Sequence, residues 1–182
     1  MKSFLKFLRR ILTAGAVFYL LDRFANVPTA FSSYWFTFSY PFLTCIAVIH
    51  GPLAGAGSGL VGYLLSVLID HIAFQWIDAG TLVLYCLLVG ISGSKRMDFV
   101  DGVLDSTDIA QYVKSQIFSN LLVWFLLRPI LMHFVLETPL FVGFAAGFLL
   151  AINRMVSGMM IGTILLEIYT GTRYSEAAFY RS

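Results

Sequence analysis

Six long apolar stretches constrain this chain more strongly than any other feature of its sequence. They cover about residues 7–24, 35–50, 53–72, 79–92, 113–136 and 140–169. A helix that crosses a bilayer needs about 20 mostly apolar residues, and the short fourth stretch reaches this length only with its flanking residues. Continuous apolar runs are not typical of transmembrane β-barrels, whose strands alternate apolar and polar residues. The sequence therefore predicts an all-α integral membrane protein, a single six-helix bundle over residues 1–182.

Composition excludes several other classes of protein. Hydrophobic residues make up 59% and charged residues 12% of the 182 residues, whereas a soluble domain is about half apolar and about a quarter charged. The net charge of +2 is too small for a nucleic-acid-binding surface. Cys45 and Cys86 lie in apolar runs without a metal-binding spacing, so we expect buried small hydrophobes and neither a disulfide, a metal site nor a cofactor.

Turn residues separate several of the apolar stretches. Gly51 and Pro52 divide the second from the third, residues 92–94 close the fourth, and Thr138 and Pro139 divide the fifth from the sixth. These positions set the predicted helix ends.

Basic residues lie mostly on one side of this predicted topology. The longest polar stretch, residues 94–114, follows the fourth apolar run, and we expect a short surface helix or loop there. Only Arg23 is clearly outside the membrane on the opposite side. Because lysine and arginine favour the cytoplasm, both termini are predicted to be cytoplasmic. The basic residues that decide this orientation are Lys2, Lys6, Arg9, Arg10, Lys95, Arg96, Lys114, Arg173 and Arg181.

The N-terminal segment also has the charge pattern of a signal peptide. It lacks a small-residue cleavage site, and five more apolar stretches follow it. We therefore expect it to form the first helix of the bundle.

The fifth stretch carries a polar stripe. Asn120, Trp124 and Arg128 recur every four residues, which places them on one face of a helix. Pro129 follows directly and is expected to loosen or kink the helix. A guanidinium beside an indole and an amide can bind a planar or anionic ligand. The alternative is that Arg128 snorkels to the headgroups and Trp124 belongs to the interfacial aromatic belt.

Other polar residues are candidates for the same site. Asn153 and Arg154 lie near the middle of the sixth stretch, where an ionisable group is costly and either pairs within the bundle or contacts a ligand. Trp76 lies at the outer junction of the third and fourth stretches, where a solvated loop with an aromatic anchor is the alternative. The outer segment that ends at Trp35 is long enough to act as a lid.

Small residues at helical spacing predict close helix contacts. Gly51, Gly55 and Gly59 recur every four residues and allow a neighbouring backbone to approach. The first stretch offers a similar cluster at Ala14, Gly15 and Ala16. These residues either pack helices of this chain together or dock an external partner.

Enzyme signatures are weak. His50, His71 and His133 lie far apart and share no metal-ligand spacing with carboxylates. The sequence has neither a Gly-x-Ser-x-Gly nucleophile motif nor a phosphate-binding loop. We therefore predict no catalytic residues and no ATPase site.

The run from Pro41 to Gly62, with a Gly-Pro-x-x-Gly turn at residues 51–55, resembles the substrate-binding S component of energy-coupling factor (ECF) vitamin transporters. The resemblance implies a plasma-membrane subunit that captures a vitamin or a vitamin precursor with high affinity at its outer face. It also implies two kinds of partner, a coupling transmembrane subunit and two cytoplasmic ATPases. Ligand contacts are implied for Trp35, Trp76, Asn120, Trp124 and Arg128, with Asn153 and Arg154 deeper.

Two other classes remain open at this point. The rod-shape membrane scaffold of the cell-wall elongation machinery has a similar length and number of spans, and it needs no ligand pocket. An intramembrane enzyme is disfavoured by the missing motifs.

Overall fold

The computed structural model describes residues 2–28, 35–94 and 104–179, which form six helical rods and one short hairpin. A π-helical segment, Leu121–Leu127, joins two helices into one rod. The helical bundle predicted from the sequence is present, and the hairpin is an addition to it. In chain order the elements are α1 (Lys2–Phe24), β1 (Asn26–Pro28), β2 (Trp35–Thr37), α2 (Ser39–His50), α3 (Pro52–Ile69), α4 (Trp76–Ser94), α5 (Ser106–Asn120), α6 (Arg128–Leu136) and α7 (Leu140–Phe179).

Four helical segments are long and apolar enough to cross a membrane: Pro52–Ile69, Trp76–Gly93, Ser106–Leu136 and Leu140–Thr172. Helix α2 has 12 residues and rises about 18 Å, less than the hydrocarbon thickness of about 30 Å. Helix α1 is long enough, but its first half carries four basic residues. The number of six spans therefore remains a prediction.

The second apolar stretch does not begin as a helix at residue 35, as the sequence predicted. Trp35–Thr37 is a strand that pairs antiparallel with Asn26–Pro28, with Val27 opposite Phe36, and α2 begins only at Ser39. Aromatic and β-branched residues favour strands. Pro41 then falls in the first turn of α2, where a missing N–H costs no helical hydrogen bond.

The reversal between α2 and α3 depends on one glycine. Helix α2 ends at His50, α3 begins at Pro52, and Gly51 between them has φ of 96°. Side chains disfavour this backbone conformation, so glycine is required. Thr138 and Pro139 separate α6 from α7 as predicted.

The long rod begins earlier than its apolar residues predict. The side chain of Asp105 accepts a hydrogen bond from the backbone N–H of Ser106, and the backbone N–H of Asp105 donates one to the carboxylate of Asp108. This capping box satisfies N–H groups at the helix start. Hydrogen bonds from Thr107 and Ser106 hold the pKa of Asp105 below its usual value. Residues 106–114 are therefore helical, as one of the two expected forms, but they begin a long rod and are not a separate short helix. Residues 95–103 lie outside the described ranges.

The loosening expected before Pro129 takes the form of the π segment. The backbone N–H of Arg128 donates to the carbonyl of Val123, five residues back. Proline has no N–H with which to continue the α-helical pattern, and π turns inside α-helices often mark functional sites. Gly147 of α7 packs against this segment, since a Cβ there would lie 2.6 Å from the carbonyl oxygen of Trp124.

The core lies between α2, α4, α5, the π segment and α7. Its fully buried side chains include Leu43, Tyr85, Tyr112 and Val123. Large apolar side chains on the outside are exposed instead, at Leu53, Leu68, Phe141 and Ile168 among others. A bundle with apolar residues on both its core and its outer faces suits a lipid surrounding.

Candidate ligand-binding cavity

A polar cavity of about 330 Å³ lies at the end of the bundle where α1 and α3 end and α2 and α4 begin. This volume is near the lower limit of small-molecule sites, which span roughly 300–1,000 Å³. Helix α7 and the junction of the π segment with α6 complete the wall. The cavity is lined by Tyr19, Asp22, Arg23, Tyr40, Tyr63, Ser66, Asp70, Ile72, Asp78, Leu82, Trp124, Arg128, Leu150 and Arg154.

Arg154 is held between two aromatic rings on the cavity wall. Its guanidinium carbon lies 3.5 Å from the ring centroid of Trp124 and 3.8 Å from that of Tyr40. Its Nη2 donates a hydrogen bond of 2.7 Å to the Tyr40 hydroxyl. Cation–π contacts of this kind stabilise a desolvated guanidinium, and the two rings fix its orientation.

The charge of Arg154 has no direct counter-ion within the described part of the chain. No carboxylate there lies within 4.0 Å of its nitrogens, and its buried Nη1 has no hydrogen-bond partner. The buried indole N–H of Trp124 also lacks a partner. Buried polar groups without partners are costly, so these two donors are candidates for binding a hydrogen-bond acceptor.

Arg128 is paired more completely. Its Nη2 lies 2.9 Å from Oδ1 of Asp78, and its Nε donates to the same oxygen at 3.0 Å. The side chains are 17% and 32% exposed, respectively. This ion pair joins the π-segment junction to the start of α4 and neutralises both charges at the cavity wall.

The remaining carboxylates of the cavity are held at the ends of α1 and α3. Asp70 accepts a hydrogen bond of 3.3 Å from the Tyr19 hydroxyl and lies 3.6 Å from Nε of Arg23. Asp22 accepts a hydrogen bond of 2.7 Å from Ser39. Among the described residues Asp22 has no ion-pair partner, so it can accept hydrogen bonds from a ligand.

The polar stripe of the long rod continues below the cavity. Asn120 is fully buried, and its Nδ2 donates to the carbonyl of Gln116 at 2.8 Å and to the Tyr85 hydroxyl at 3.3 Å. The Tyr85 hydroxyl in turn donates to Oε1 of Gln116 at 2.7 Å. Asn120 therefore lies beneath the cavity wall, in contact with core residues.

The structure brings some of the sequence-predicted ligand residues together and separates others. Trp124, Arg128 and Arg154 share the cavity wall. Asn153 is half-buried and lies outside this wall, and Trp76 is 54% exposed at the start of α4. The side chain of Trp35 lies outside the described residues.

Several cavity residues were not predicted from the sequence. Tyr19, Asp22 and Arg23 at the end of α1, Tyr40 in the first turn of α2 and Tyr63 in α3 all line it. Asp22 and Arg23, which end the first apolar stretch, could have been predicted as cavity residues. In the predicted topology they lie at the same membrane depth as Arg128.

The residues predicted to dock a partner lie at contacts inside the bundle. A Cβ on Gly15 would lie 2.6 Å from a methyl group of Val61, and one on Gly55 would lie 2.7 Å from Cα of Ala47. Gly59 is buried against Leu43 and Leu82. Ala14 is also buried, whereas Ala16 is half-buried. The three glycines thus serve intramolecular packing in this structure.

Comparison with known proteins identifies the family. A family model described as the S component of an ECF-type riboflavin transporter matches residues 11–171. Relatives named UPF0397 protein match almost end to end. The one from Enterococcus faecalis is 30% identical over 166 residues, which cover 90% of this chain and 89% of the relative. The one from Lactobacillus johnsonii is 27% identical over 167 residues, which cover 92% and 90%.

These matches bear directly on the two interpretations left open by the sequence. S components are substrate-binding transport subunits of the plasma membrane and not enzymes, and they pair with a coupling subunit and ATPases. None of these matches supports the cell-wall scaffold interpretation. The chain belongs to the family of ECF-type riboflavin transporter S components.

Proposed function

We propose that this chain captures a vitamin or related micronutrient in the polar cavity and delivers it to an ECF-type importer. The observation that carries the proposal is Arg154, a cavity-lining residue whose guanidinium is oriented by Tyr40 and Trp124 and whose buried Nη1 has no partner. If Arg154 served only to stabilise the bundle, an unpaired donor would cost free energy without any compensating contact.

The cavity favours an uncharged planar ligand with hydrogen-bonding groups at both ends. Arg154 and the Trp124 indole offer donors, and Asp22 offers an acceptor. The three arginines and three aspartates of the wall balance in formal charge. Riboflavin has a planar ring system with carbonyl oxygens and an N–H group, and the matching family model is named for it. It is therefore the first ligand to test.

We further propose that the cavity opens to the cell exterior and that both termini are cytoplasmic. The cavity lies at the C-terminal end of α1, whereas Arg9 and Arg10 lie toward the other end, as the distribution of basic residues requires. Cysteines introduced one at a time at Ser3 and Phe74, both exposed positions, test this with an impermeant maleimide on intact cells. The unsubstituted chain is the control for its own Cys45 and Cys86, which are buried. We expect labelling at residue 74 alone, and labelling at residue 3 alone contradicts the orientation.

Energy for transport must come from partners, because the sequence contains no nucleotide-binding motif. We propose a coupling transmembrane subunit and two cytoplasmic ATPase subunits. We propose that the partner docks on the exposed face of α1 beside the half-buried Ala16, because Ala14 and Gly15 are buried against the bundle, and Gly55 and Gly59 pack α3 against α2 and α4.

Ligand analysis of the purified protein tests the proposal. Denaturing the purified protein is expected to release one small molecule, which mass spectrometry then identifies. Riboflavin at about a thousand times its dissociation constant is expected to stabilise the fold by about 4 kcal/mol, which a melting curve detects easily. The absence of a bound molecule, with no thermal shift from riboflavin or other vitamins, contradicts the proposed function.

A further inference from the structure

A second groove lies between α1, α2 and α3, toward the opposite end of these helices from the polar cavity. Its volume is about 310 Å³. Its wall combines basic side chains with apolar and small ones. The lining residues are Arg9, Arg10, Thr13, Ala14, Val17, Phe42, Ile46, His50, Ala54 and Ser58.

The lining residues of this groove are ordered along the axis of the bundle. Arg9 and Arg10 lie in the first half of α1, and His50 ends α2 at the turn into α3. Val17 and Phe42 lie farther toward the cavity end, because Val17 is in the second half of α1 and α2 begins at that end. The groove is thus basic at the end away from the cavity and apolar toward the cavity.

The three helices that form the groove carry only basic charges at this end. Helix α1 has no acidic residue before Asp22, and neither α2 nor α3 contains Asp or Glu. Lys6, Arg9 and Arg10 are all exposed. The arginines of the groove therefore have no neighbouring carboxylate on the helices that form it, in contrast to the arginine–aspartate pairs of the cavity.

We propose that this groove binds one anionic phospholipid. The phosphate is held by Arg9 and Arg10, whose planar guanidinium groups suit bidentate contacts with phosphate oxygens. An acyl chain lies along Val17, Phe42 and Ile46. Basic pockets between helices on the cytoplasmic side are typical sites for acidic lipid headgroups. A partner helix in this groove needs an acidic residue next to Arg9 and Arg10 to balance their charge. Lipid headgroups supply phosphate at the bilayer surface at high concentration, so a lipid is the favoured occupant.

The proposal has a consequence for assembly. A coupling subunit that docks on the outer face of α1 must displace this lipid or enclose it. The lipid content of the membrane then controls how readily the S component and its partner associate, independently of vitamin binding at the cavity.

Native mass spectrometry of the purified full chain tests the lipid site, with phosphatidylglycerol and phosphatidylcholine as probes. We expect one tightly retained phosphatidylglycerol, preferred about tenfold or more over phosphatidylcholine. The double variant Arg9→Gln/Arg10→Gln is expected to lose this preference. The matched control Lys6→Gln/Lys114→Gln removes the same charge at exposed positions outside the groove and is expected to keep it.

A second variant keeps the test decisive if the arginine variant folds poorly. Val17 is exposed on the groove wall, so Val17→Trp fills the groove without removing charge and is expected to reduce phosphatidylglycerol retention. Equal loss of lipid in the lysine control, or no preference for the anionic lipid in the wild type, overturns the proposal. So does an arginine variant that keeps the lipid but no longer co-purifies with the coupling subunit, since the groove then belongs to that partner.

Discussion

The two ends of the bundle carry their charges in different ways. At the cavity end, Arg128 pairs with Asp78 and Arg23 lies close to Asp70, so charges are largely cancelled and the wall stays polar. At the groove end, Arg9 and Arg10 lie on α1, and neither this half of α1 nor the neighbouring α2 and α3 carries an acidic residue. Paired charges suit an uncharged ligand that replaces water, whereas charges of one sign suit the membrane surface.

The same contrast extends to packing. Gly15 and Gly55 bring backbones together around the groove end. At the cavity end, the large side chains of Tyr40, Trp124 and Arg154 stack in the space between α2, the π segment and α7. We therefore expect substitutions at the groove end to affect mainly stability and substitutions at the cavity end to affect mainly ligand binding.

The largest expected effect is on packing, from Gly55→Leu. A Cβ at this position already lies 2.7 Å from Cα of Ala47, so the larger side chain must push α2 and α3 apart. Overpacking costs about 1–3 kcal/mol and occasionally more, and here we expect a loss of about 3 kcal/mol in unfolding free energy. Denaturant unfolding in detergent measures it. Normal stability together with lost partner association would instead assign Gly55 to docking.

Arg154→Gln is the next largest change and acts at the cavity end. It removes a charged donor and two cation–π contacts, and hydrogen bonds to charged groups contribute about 1.5–3 kcal/mol. We expect the Kd for riboflavin, or for the molecule that co-purifies, to rise about a hundredfold in a fluorescence titration. Arg23→Gln is the comparison. The Arg23 side chain also lines the cavity, but it is 57% exposed and its ion pair with Asp70 is long, at 3.6 Å. Equal Kd values for the two variants contradict the assigned role of Arg154.

Arg128→Ala is expected to weaken ligand binding about tenfold without unfolding the bundle. The effect is smaller because Asp78 already neutralises the charge of Arg128. Part of the lost affinity then comes from the Asp78 carboxylate, which the substitution leaves unpaired. The double variant Arg128→Ala/Asp78→Asn is expected to recover part of the affinity in the same titration. Unchanged affinity in the single variant returns Arg128 to the snorkelling interpretation.

The smallest expected effect is that of Gly80→Ala, the matched control for Gly55. Gly80 lies within α4, and a Cβ there meets nothing within 4 Å. Alanine favours a helix over glycine by about 1 kcal/mol, so we expect a gain of about 0.5–1 kcal/mol in unfolding free energy and an unchanged Kd. If Gly80→Ala lost as much stability as Gly55→Leu, the assignment of Gly55 as a packed glycine and Gly80 as an open one would be wrong.

Hydrophobic patterning predicted the helical bundle because apolar runs and turn residues are local signals. Gly51 and Pro52 mark the reversal between α2 and α3 in the sequence as clearly as in the structure. The strand at Trp35–Thr37 was missed because its apolar residues read equally well as the start of a helix, and only pairing with Asn26–Pro28 decides between them.

The cavity was only partly predictable for a related reason. Helical spacing placed Trp124 and Arg128 on one stripe, but it says nothing about which other helix faces them. The contact of Arg154 with Tyr40, 114 positions apart in the chain, and the pairing of Arg128 with Asp78 follow from how the helices pack. Local sequence patterns therefore found the polar residues but not their partners.

A ligand-bound structure of the purified chain, determined with the small molecule that co-purifies, tests the central claim most directly. We predict ligand density inside the polar cavity, within hydrogen-bond distance of the Arg154 guanidinium and the Asp22 carboxylate. Ligand density elsewhere in the bundle, or a cavity closed by side chains while the ligand is bound, would contradict the account.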